Sequence, residues 1–106
     1  MLFSVIFMSM YMLYTTKAKS SKEMDDLRVQ FQEIYEKHKV DIVGFWVNAE
    51  AEEEFFYMSR YENEADYKNK VALLREDEDY KRLSVKVKEA RMESGSTRLV
   101  PKWIPK

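Results

Sequence analysis

His38 is the single histidine of the chain and the side chain best suited to proton transfer near neutral pH. Its imidazole could act as a general base or as an axial ligand to haem. His38 also falls at the end of a predicted helix, where an imidazolium would simply offset the helix dipole. The structural role is the favoured one, so the sequence predicts no catalytic residue and leaves His38 as the one candidate.

Tyrosines and an arginine on predicted strands could contact a ligand. Tyr14, Tyr57 and Tyr61 could donate to a bound carbonyl or phenolate, although aromatic residues on strands more often lie in the core with the hydroxyl satisfied. Arg60 stands in an otherwise apolar strand and could hold an anionic substrate. Arg60 could equally pair with Glu62 or with a carboxylate of a partner chain.

Composition excludes several chemistries. The chain has no cysteine, which excludes disulfides, a thiolate nucleophile and cysteine-ligated metals, and one histidine excludes a multi-histidine zinc site within a subunit. Four glutamates within residues 50–54 lack the glycine and mixed aspartate or asparagine of a calcium-binding turn, and they predict a solvated hairpin tip. Phosphate-binding, nucleophile-elbow and dinucleotide-binding motifs do not occur in the sequence. We therefore expect no metal, and no cofactor apart from the alternative of haem at His38.

The charge of the chain is nearly balanced, with 18 basic and 19 acidic residues and a net charge of −1. No overall field would steer it to nucleic acid or to a membrane surface, and we expect neither as a partner. Residues 44–47 faintly echo an RNA-recognition motif, but no basic residue precedes the glycine and an acidic loop follows. Residues 51–80 carry ten acids and four bases, whereas residues 81–106 carry eight bases and two acids. This split could let two copies meet by complementarity, or it reflects two solvated helix faces.

A chain of 106 residues with 45% hydrophobic side chains predicts one domain over residues 1–106 with a real core. Residues 1–16 carry no charge, but they are shorter than the ~20 apolar residues of a membrane anchor and lack the basic start of a secretory signal. Phe3, Val5 and Phe7 alternate with other apolar residues, which predicts a first strand buried on both faces. With no cysteine and no predicted signal, we expect a cytoplasmic protein.

The remaining elements follow from changes in periodicity and from capping residues. We predict a helix that begins at the Ser20–Glu23 capping box and ends near His38. Asn63 with Asp66 predicts the start of a second helix, and acidic residues 77–79 the start of a third that ends near Ser94–Gly95. The other predicted elements are a strand at residues 40–48, an acidic connection at 49–54, a strand at 55–61 and a final strand at 97–103 with Pro101 at an edge or bulge.

This order is the β-α-β-β-α-β arrangement of an α+β, ferredoxin-like domain with a four-stranded antiparallel sheet. Helices cover one face of such a sheet, yet the second strand offers Val43, Phe45 and Val47 on one side and Ile42 and Trp46 on the other. A second copy of the chain is the simplest cover for the remaining apolar face. The sequence therefore predicts a homodimer through the sheet faces. It does not determine which side of the sheet carries Trp46.

The chain resembles the NIPSNAP family within the dimeric α/β-barrel superfamily over roughly residues 8–106. The resemblance rests on Tyr14 at the end of the first strand and on His38 before the Val-Gly-Phe-Trp segment at 43–46. It continues through residues 59–62 (SRYE), the acidic residues before Tyr80, and Pro101, Trp103 and Pro105. Two positions depart from the family pattern: Leu13 stands where an arginine often precedes the tyrosine, and Ser59 where an aromatic residue is common.

Similarity to this family implies a dimeric barrel and little defined chemistry. We expect a NIPSNAP-like protein of unassigned activity that binds a small molecule or acts as an interaction module, as a homodimer. The alternative is a small cofactor-independent monooxygenase-like or haem-using enzyme of the same superfamily. In either case the resemblance places a ligand pocket between sheet and helices, with Tyr14, His38, Trp46, Arg60 and Trp103 as candidate lining residues.

Overall fold

The computed structural model describes residues 9–105 and follows the predicted order of strands and helices. The elements are β1 (Met10–Ala18), α1 (Ser21–Lys37), β2 (Asp41–Asn48), β3 (Ala51–Tyr61), α2 (Glu64–Glu76), α3 (Glu78–Ala90) and β4 (Arg91–Leu99). The four strands form one sheet in the order β2-β3-β1-β4, and each neighbouring pair is antiparallel. The ferredoxin-like α+β fold is therefore confirmed, with its second helical segment divided into α2 and α3.

Side-chain caps set the starts of all three described helices. Ser20 Oγ accepts a hydrogen bond from the Glu23 amide at 3.3 Å before α1, and Asn63 Oδ1 accepts one from the Asp66 amide at 2.8 Å before α2. Asp77 does the same for α3. Each cap satisfies an amide that has no partner within the helix, and such caps contribute about 1 kcal/mol. The three predicted helix starts are thus confirmed.

The end of α1 is a Schellman turn formed by a residue other than glycine. Lys39 has φ of 56°, in the left-handed region. The Lys39 amide donates to the Glu36 carbonyl at 3.2 Å, and the Val40 amide donates to the Tyr35 carbonyl at 2.9 Å. This tight turn sends the chain directly into β2, so that His38 stands between α1 and the sheet.

Residues in β1 alternate between the two faces of the sheet. Met10 and Met12 are buried beneath the helices, and Tyr11 and Leu13 point to the opposite face. The predicted first strand over residues 1–16 includes Phe3, Val5 and Phe7, which lie outside the described residues.

The hairpin between β2 and β3 is tighter than the predicted connection at residues 49–54. Its turn consists of Ala49 and Glu50. Asn48 Oδ1 accepts a hydrogen bond from the Glu50 amide at 2.9 Å, and this contact stabilises the turn. Residues 52–54 belong to β3. The prediction of a solvated glutamate loop was therefore wrong for these positions, and Glu54 accepts a hydrogen bond from Asn48 Nδ2 at 2.8 Å.

A bulge in β2 changes the predicted division of its side chains. The register with β3 shifts between Ile42 and Gly44, so Ile42 and Phe45 both face the helices. Trp46 pairs with Phe56 on the opposite, open face. The indole covers Gly44 so closely that a Cβ there would lie 2.8 Å from a ring atom, which explains the glycine.

The boundary between α3 and β4 lies earlier than predicted. The helix ends at Ala90 rather than near Ser94–Gly95, and β4 runs from Arg91 to Leu99 rather than over residues 97–103. Pairing with β1 places Gly95 opposite Thr15, so long-range strand hydrogen bonds override the local helical pattern. Pro101 follows the strand, where it needs to donate no ladder hydrogen bond.

The core lies between the sheet and the helices, and the other face of the sheet is open. Among the described residues no helix is long and apolar enough to cross a membrane. We call the apolar side chains of the uncovered side the open face; its members are Tyr11, Leu13, Trp46, Phe56, Met58 and Leu99.

Candidate functional site

Six of the seven tyrosines of the chain surround one cavity between the sheet and the helices. The cavity has a volume of about 220 Å³. We call it the tyrosine cavity; its tyrosines are Tyr14 on β1, Tyr57 and Tyr61 on β3, and Tyr35, Tyr67 and Tyr80 on the helices.

Strand register and ring packing position the tyrosines of the sheet. Tyr14 and Tyr57 are directly opposite in the β1–β3 pairing, and their rings stack with centroids 4.6 Å apart. The Tyr61 ring meets the Tyr67 ring of α2 edge to face at 5.1 Å. Such aromatic pairs are favourable beyond the area they bury and fix the walls of the cavity.

Ser59 places an unpartnered hydroxyl in the wall of the tyrosine cavity. The residue is 2% exposed, and its Oγ makes no hydrogen bond of normal geometry with the described residues. The Tyr61 hydroxyl lies close enough that Ser59 lowers the pKa of Tyr61 against the larger, raising effect of burial. A buried polar group without a partner costs about 1–3 kcal/mol, and such groups normally bind a partner or an ordered molecule. The Ser59 hydroxyl therefore marks the point of the cavity at which a bound oxygen or nitrogen atom would be stabilised.

The hydroxyls of Tyr14, Tyr35 and Tyr57 remain protonated at physiological pH. Burial raises the pKa of Tyr57 to about 12, against the opposing effect of a hydrogen bond from Tyr35. Burial, with a smaller contribution from neighbouring tyrosines, raises the pKa of Tyr14 and of Tyr35 well above the ordinary value. Each neutral hydroxyl can both donate and accept a hydrogen bond.

The charge in the cavity wall comes from Arg75 alone among the described lining residues. No carboxylate and no imidazole lines the tyrosine cavity within residues 9–105. The wall can therefore bind an oxygen-bearing molecule by hydrogen bonds and aromatic contact, but it offers no side chain with a pKa near 7 to remove a proton.

His38 lies away from the tyrosine cavity, in an ion-pair cluster at the end of α1. Its Nε2 is 2.7 Å from Asp77 Oδ2, and Lys37 Nζ is 2.6 Å from the same oxygen. The other oxygen, Asp77 Oδ1, accepts the Tyr80 amide at 3.0 Å. Hydrogen bonds from Lys37 and His38 hold the pKa of Asp77 well below its usual range. In this geometry His38 ties the end of α1 to the start of α3.

The other three candidate residues also lie outside the tyrosine cavity. Trp46 is on the open face and is 49% exposed, and Trp103 follows β4 with 81% exposure. Arg60 also points to the open face, where Nη2 donates to Ser9 Oγ at 2.8 Å and Nη1 lies 3.6 Å from Asp41 Oδ2. Its ion pair is thus with Asp41 and not with Glu62. Of the five residues expected to share a pocket, the single chain places Tyr14 alone in this one.

Sequence reasoning identified three cavity tyrosines and missed the others. Tyr14, Tyr57 and Tyr61 are candidate donors on predicted strands. Tyr35, Tyr67 and Tyr80 instead recur with apolar residues at spacings of three and four, which predicts the core-facing sides of helices. These three helix positions do face the cavity between the helices and the sheet. The missing signal was that core-facing positions of five different elements carry tyrosine, with a hydroxyl that needs a partner.

The residues present do not fit a haem. A cavity of about 220 Å³ is only moderately larger than the ~150 Å³ that holds benzene, and a macrocycle is far larger. His38 Nε2 is already bound to Asp77 and does not face the cavity.

Comparisons with known proteins agree with the fold. No family model matches the sequence, and no curated protein matches it. A solved structure of a NIPSNAP-like domain protein from Burkholderia xenovorans is similar, with a TM-score of 0.79 at 10% identity over 94% of this chain and 91% of that chain. A NIPSNAP family protein from Agrobacterium tumefaciens gives a TM-score of 0.75 at 15% identity over 89% and 93% of the two chains.

The same fold also occurs in a protein with a described reaction. SnoaB, a cofactor-independent oxygenase from Streptomyces nogalater, gives a TM-score of 0.72 at 3% identity over 92% of this chain and 96% of that chain. Topology and cavity define the class as a ferredoxin-like α+β domain with a pocket between sheet and helices. Within that class, the chain has the fold of the NIPSNAP family structures, as the sequence resemblance implied.

Proposed function

We propose that this chain is a NIPSNAP-like small-molecule-binding protein that acts as a homodimer, with the tyrosine cavity as its binding site. The observation that carries this function is the unpartnered, buried Ser59 hydroxyl in a wall of neutral tyrosines. Buried hydroxyl groups in proteins almost always have a hydrogen-bond partner. A buried, unsatisfied hydroxyl that lines a cavity therefore indicates that a bound molecule supplies the partner.

The size and chemistry of the cavity define the class of ligand. Benzene fits a cavity of ~150 Å³, so about 220 Å³ holds one ring with a small substituent. The wall offers hydroxyls that donate or accept, and aromatic rings for stacking. Arg75, the charged lining residue, is exposed, so the enclosed part of the wall is neutral. The ligand class is therefore a small, uncharged ring compound that carries a hydroxyl or carbonyl group.

A second copy of the chain is the partner that best covers the open face. A two-fold interface brings one patch against itself, so the patch must be self-complementary. The centre of the open face is apolar, and charges of both signs lie at its ends: Arg60 with Asp41 at one end and Lys17 with Glu54 and Glu93 at the other. Two copies of such a patch can face each other, because charges of both signs are present at each end and repulsion between like charges does not dominate.

Two further aspects of the proposed function are the oxygenase alternative and the cellular location. The oxygenase alternative is supported by the fold shared with SnoaB, but a proton-abstracting group is absent from the described lining of the tyrosine cavity. Ligand binding without turnover is therefore the better-supported function. A cytoplasmic location is part of the proposal, supported by the cysteine-free composition and the lack of a predicted signal, and fractionation of the expressed protein tests it.

Titration with phenol, benzyl alcohol and benzaldehyde, followed by calorimetry and saturation-transfer NMR, tests the binding function. We expect saturable binding of at least one compound with one site per chain. Ser59→Ala and Tyr14→Phe each remove one hydrogen-bonding hydroxyl and should weaken that binding about 3- to 10-fold.

Tyr11→Phe is the matched control, because this tyrosine lies on the open face and its hydroxyl is remote from the tyrosine cavity. Its affinity should equal that of the unmodified chain. Absence of saturable binding by all three compounds, or equal loss in Tyr11→Phe and Tyr14→Phe, would contradict the proposed site. Consumption of oxygen or of the aromatic compound would favour the oxygenase alternative instead.

A further inference from the structure

A second cavity beside the tyrosine cavity has apolar walls and a cationic rim. Its volume is also about 220 Å³, and the two cavities share Tyr35, Tyr57 and Tyr80. We call it the rim cavity. Apolar side chains from α1, α3 and the sheet form its walls: Met24, Phe31, Phe45, Phe55 and Val87.

Aromatic packing holds these walls in place. The Phe31 ring meets the Tyr80 ring edge to face at 5.7 Å, and the Phe45 ring stacks on Tyr57 at 5.3 Å. Both phenylalanines are partly buried residues packed against the core. A ring or short chain that enters the rim cavity would therefore meet preformed apolar surfaces rather than have to order them.

Three cations from three different elements line the same cavity: Arg28 of α1, Lys88 of α3 and Arg91 at the start of β4. No carboxylate lines the rim cavity within residues 9–105. Arg28 lies over the Phe45 ring at 5.8 Å from its centroid.

The three cations differ in their existing partners. Arg28 is paired with Asp25 at 2.8 Å and also donates to Gln32. Lys88 and Arg91 form no ion pair within the described part of the chain. The unneutralised positive charge is therefore concentrated at Lys88 and Arg91, where an anionic group on a bound molecule would lie.

We infer that the rim cavity binds a small amphipathic carboxylate, an aryl- or alkenyl-substituted acid whose apolar body contacts Phe31, Phe45 and Phe55 while its carboxylate lies at Arg91 and Lys88. The volume accommodates one aromatic ring and a short carbon linker. The guanidinium of Arg91 suits a carboxylate because its fork of donors matches two oxygens, and the Lys88 ammonium adds charge. This ligand class differs from the uncharged compounds of the tyrosine cavity, so the inference goes beyond the proposed function.

Calorimetric titration at low salt with cinnamate, cinnamyl alcohol and acetate tests this inference. Cinnamate should bind saturably with one site per chain, because it combines the ring with the charge. Cinnamyl alcohol should bind at least tenfold more weakly, and acetate should show no saturable binding. Cinnamate affinity should also fall as salt is added, because the attraction lies at a partly exposed rim.

Variants locate the carboxylate. Arg91→Gln and Lys88→Gln should each reduce cinnamate affinity about tenfold while leaving cinnamyl alcohol affinity unchanged. Lys86→Gln is the matched control, since Lys86 is an exposed lysine of α3 that does not line the rim cavity. Its cinnamate affinity should equal that of the unmodified chain.

Three results would overturn the inference: no saturable binding of cinnamate, equal affinity for cinnamyl alcohol, or an unchanged cinnamate affinity in both Arg91→Gln and Lys88→Gln. Ser59→Ala separates the two sites, because its hydroxyl lines the tyrosine cavity and not the rim cavity. Cinnamate affinity should be the same in Ser59→Ala, so failure of the tyrosine cavity as a site would leave this test intact.

Discussion

Asp77 is a nearly buried carboxylate that joins two helices through one side chain. Its side chain is 3% exposed and contacts Lys37, His38 and the amide of Tyr80. Because these hydrogen bonds favour the charged form, the pKa of Asp77 lies well below its usual range in the folded chain. The stabilisation is therefore fully present above the ordinary pKa of 3.8 and is lost as the pH falls from there toward the lower folded-state value.

We predict that Asp77→Asn lowers the melting temperature by several degrees at pH 7, because the amide keeps one acceptor and loses the charge that Lys37 and His38 contact. The difference from the unmodified chain should shrink as the pH is lowered through 4 toward 2, because the unfolded chain then binds a proton at Asp77 that the folded chain does not. Thermal unfolding followed by circular dichroism over this pH range measures both effects.

Asp79→Asn serves as the control, because this acid lies in the same helical turn but its side chain is 65% exposed and 3.5 Å from Arg82. It should change the melting temperature little at any pH. A pH-independent loss in Asp77→Asn would show that shape and not charge is the contribution of this residue.

The type of a residue indicated the chemical role of its side chain better than it indicated where that side chain lies in the fold. The position of His38 at a helix end favoured a structural role, and the structure gives it an ion-pair partner 39 positions away that no local pattern could indicate. Trp46 is predicted beside Tyr14 and lies on the opposite side of the sheet, because the bulge in β2 changes strand parity at Val43. Arg60 lies on that side too, because it alternates in β3 with Ser59 and Tyr61, which face the helices. Ser59 was noticed as a departure from an aromatic residue, but its unpartnered hydroxyl required the packed structure.

Elements whose boundaries depend on local hydrogen bonds were predicted well, and those that depend on distant pairing were not. The helix starts at Ser20, Asn63 and Asp77 are fixed within three residues of sequence, and all three are confirmed. The end of α3 depends instead on whether residues 91–99 pair with β1, which is a contact across more than seventy positions. Local propensity carries no information about that competition.

The cap of α2 provides a test at this scale, because α2 buries only Leu74 among its described residues and so depends more on local stabilisation than α1. Asn63 accepts from the Asp66 amide, and Asp66 in return accepts from the Glu62 amide at 3.0 Å. We predict that Asn63→Ala destabilises the chain by about 1 kcal/mol, measured by chemical denaturation.

Asn69→Ala is the same substitution in the exposed interior of α2 and should have the opposite sign. Alanine has a higher helix propensity than asparagine at such a position, so a gain of a few tenths of a kcal/mol is expected. Equal destabilisation by both variants would mean that the Asn63 side chain does not act as a cap.

The whole molecule presents two different surfaces, and the open face is the basis of the proposed homodimer. Helices cover one side of the sheet, and the other side carries Trp46 at 49% exposure. Trp46 pairs with Phe56, and Met58 pairs with Leu13 in the neighbouring row of the same face. A monomer seldom exposes a contiguous apolar patch above ~300–600 Å². Assembly of two copies through this face would remove that surface from water, at roughly 25 cal/mol for each Å² of apolar area.

We therefore predict a homodimer at micromolar concentration, seen as about twice the chain mass in light scattering coupled to size exclusion. Leu13→Glu should convert it to a monomer, because Leu13 lies on the central strand β1 and the two-fold axis would bring two buried glutamates into one interface. Val85→Glu makes the same chemical change at a residue of α3 that is 57% exposed, and it should leave the dimer mass unchanged. Circular dichroism of both variants verifies that the chain still folds. A monomeric unmodified chain, or a folded Leu13→Glu variant that remains dimeric, would show that the open face is not the surface through which two copies assemble.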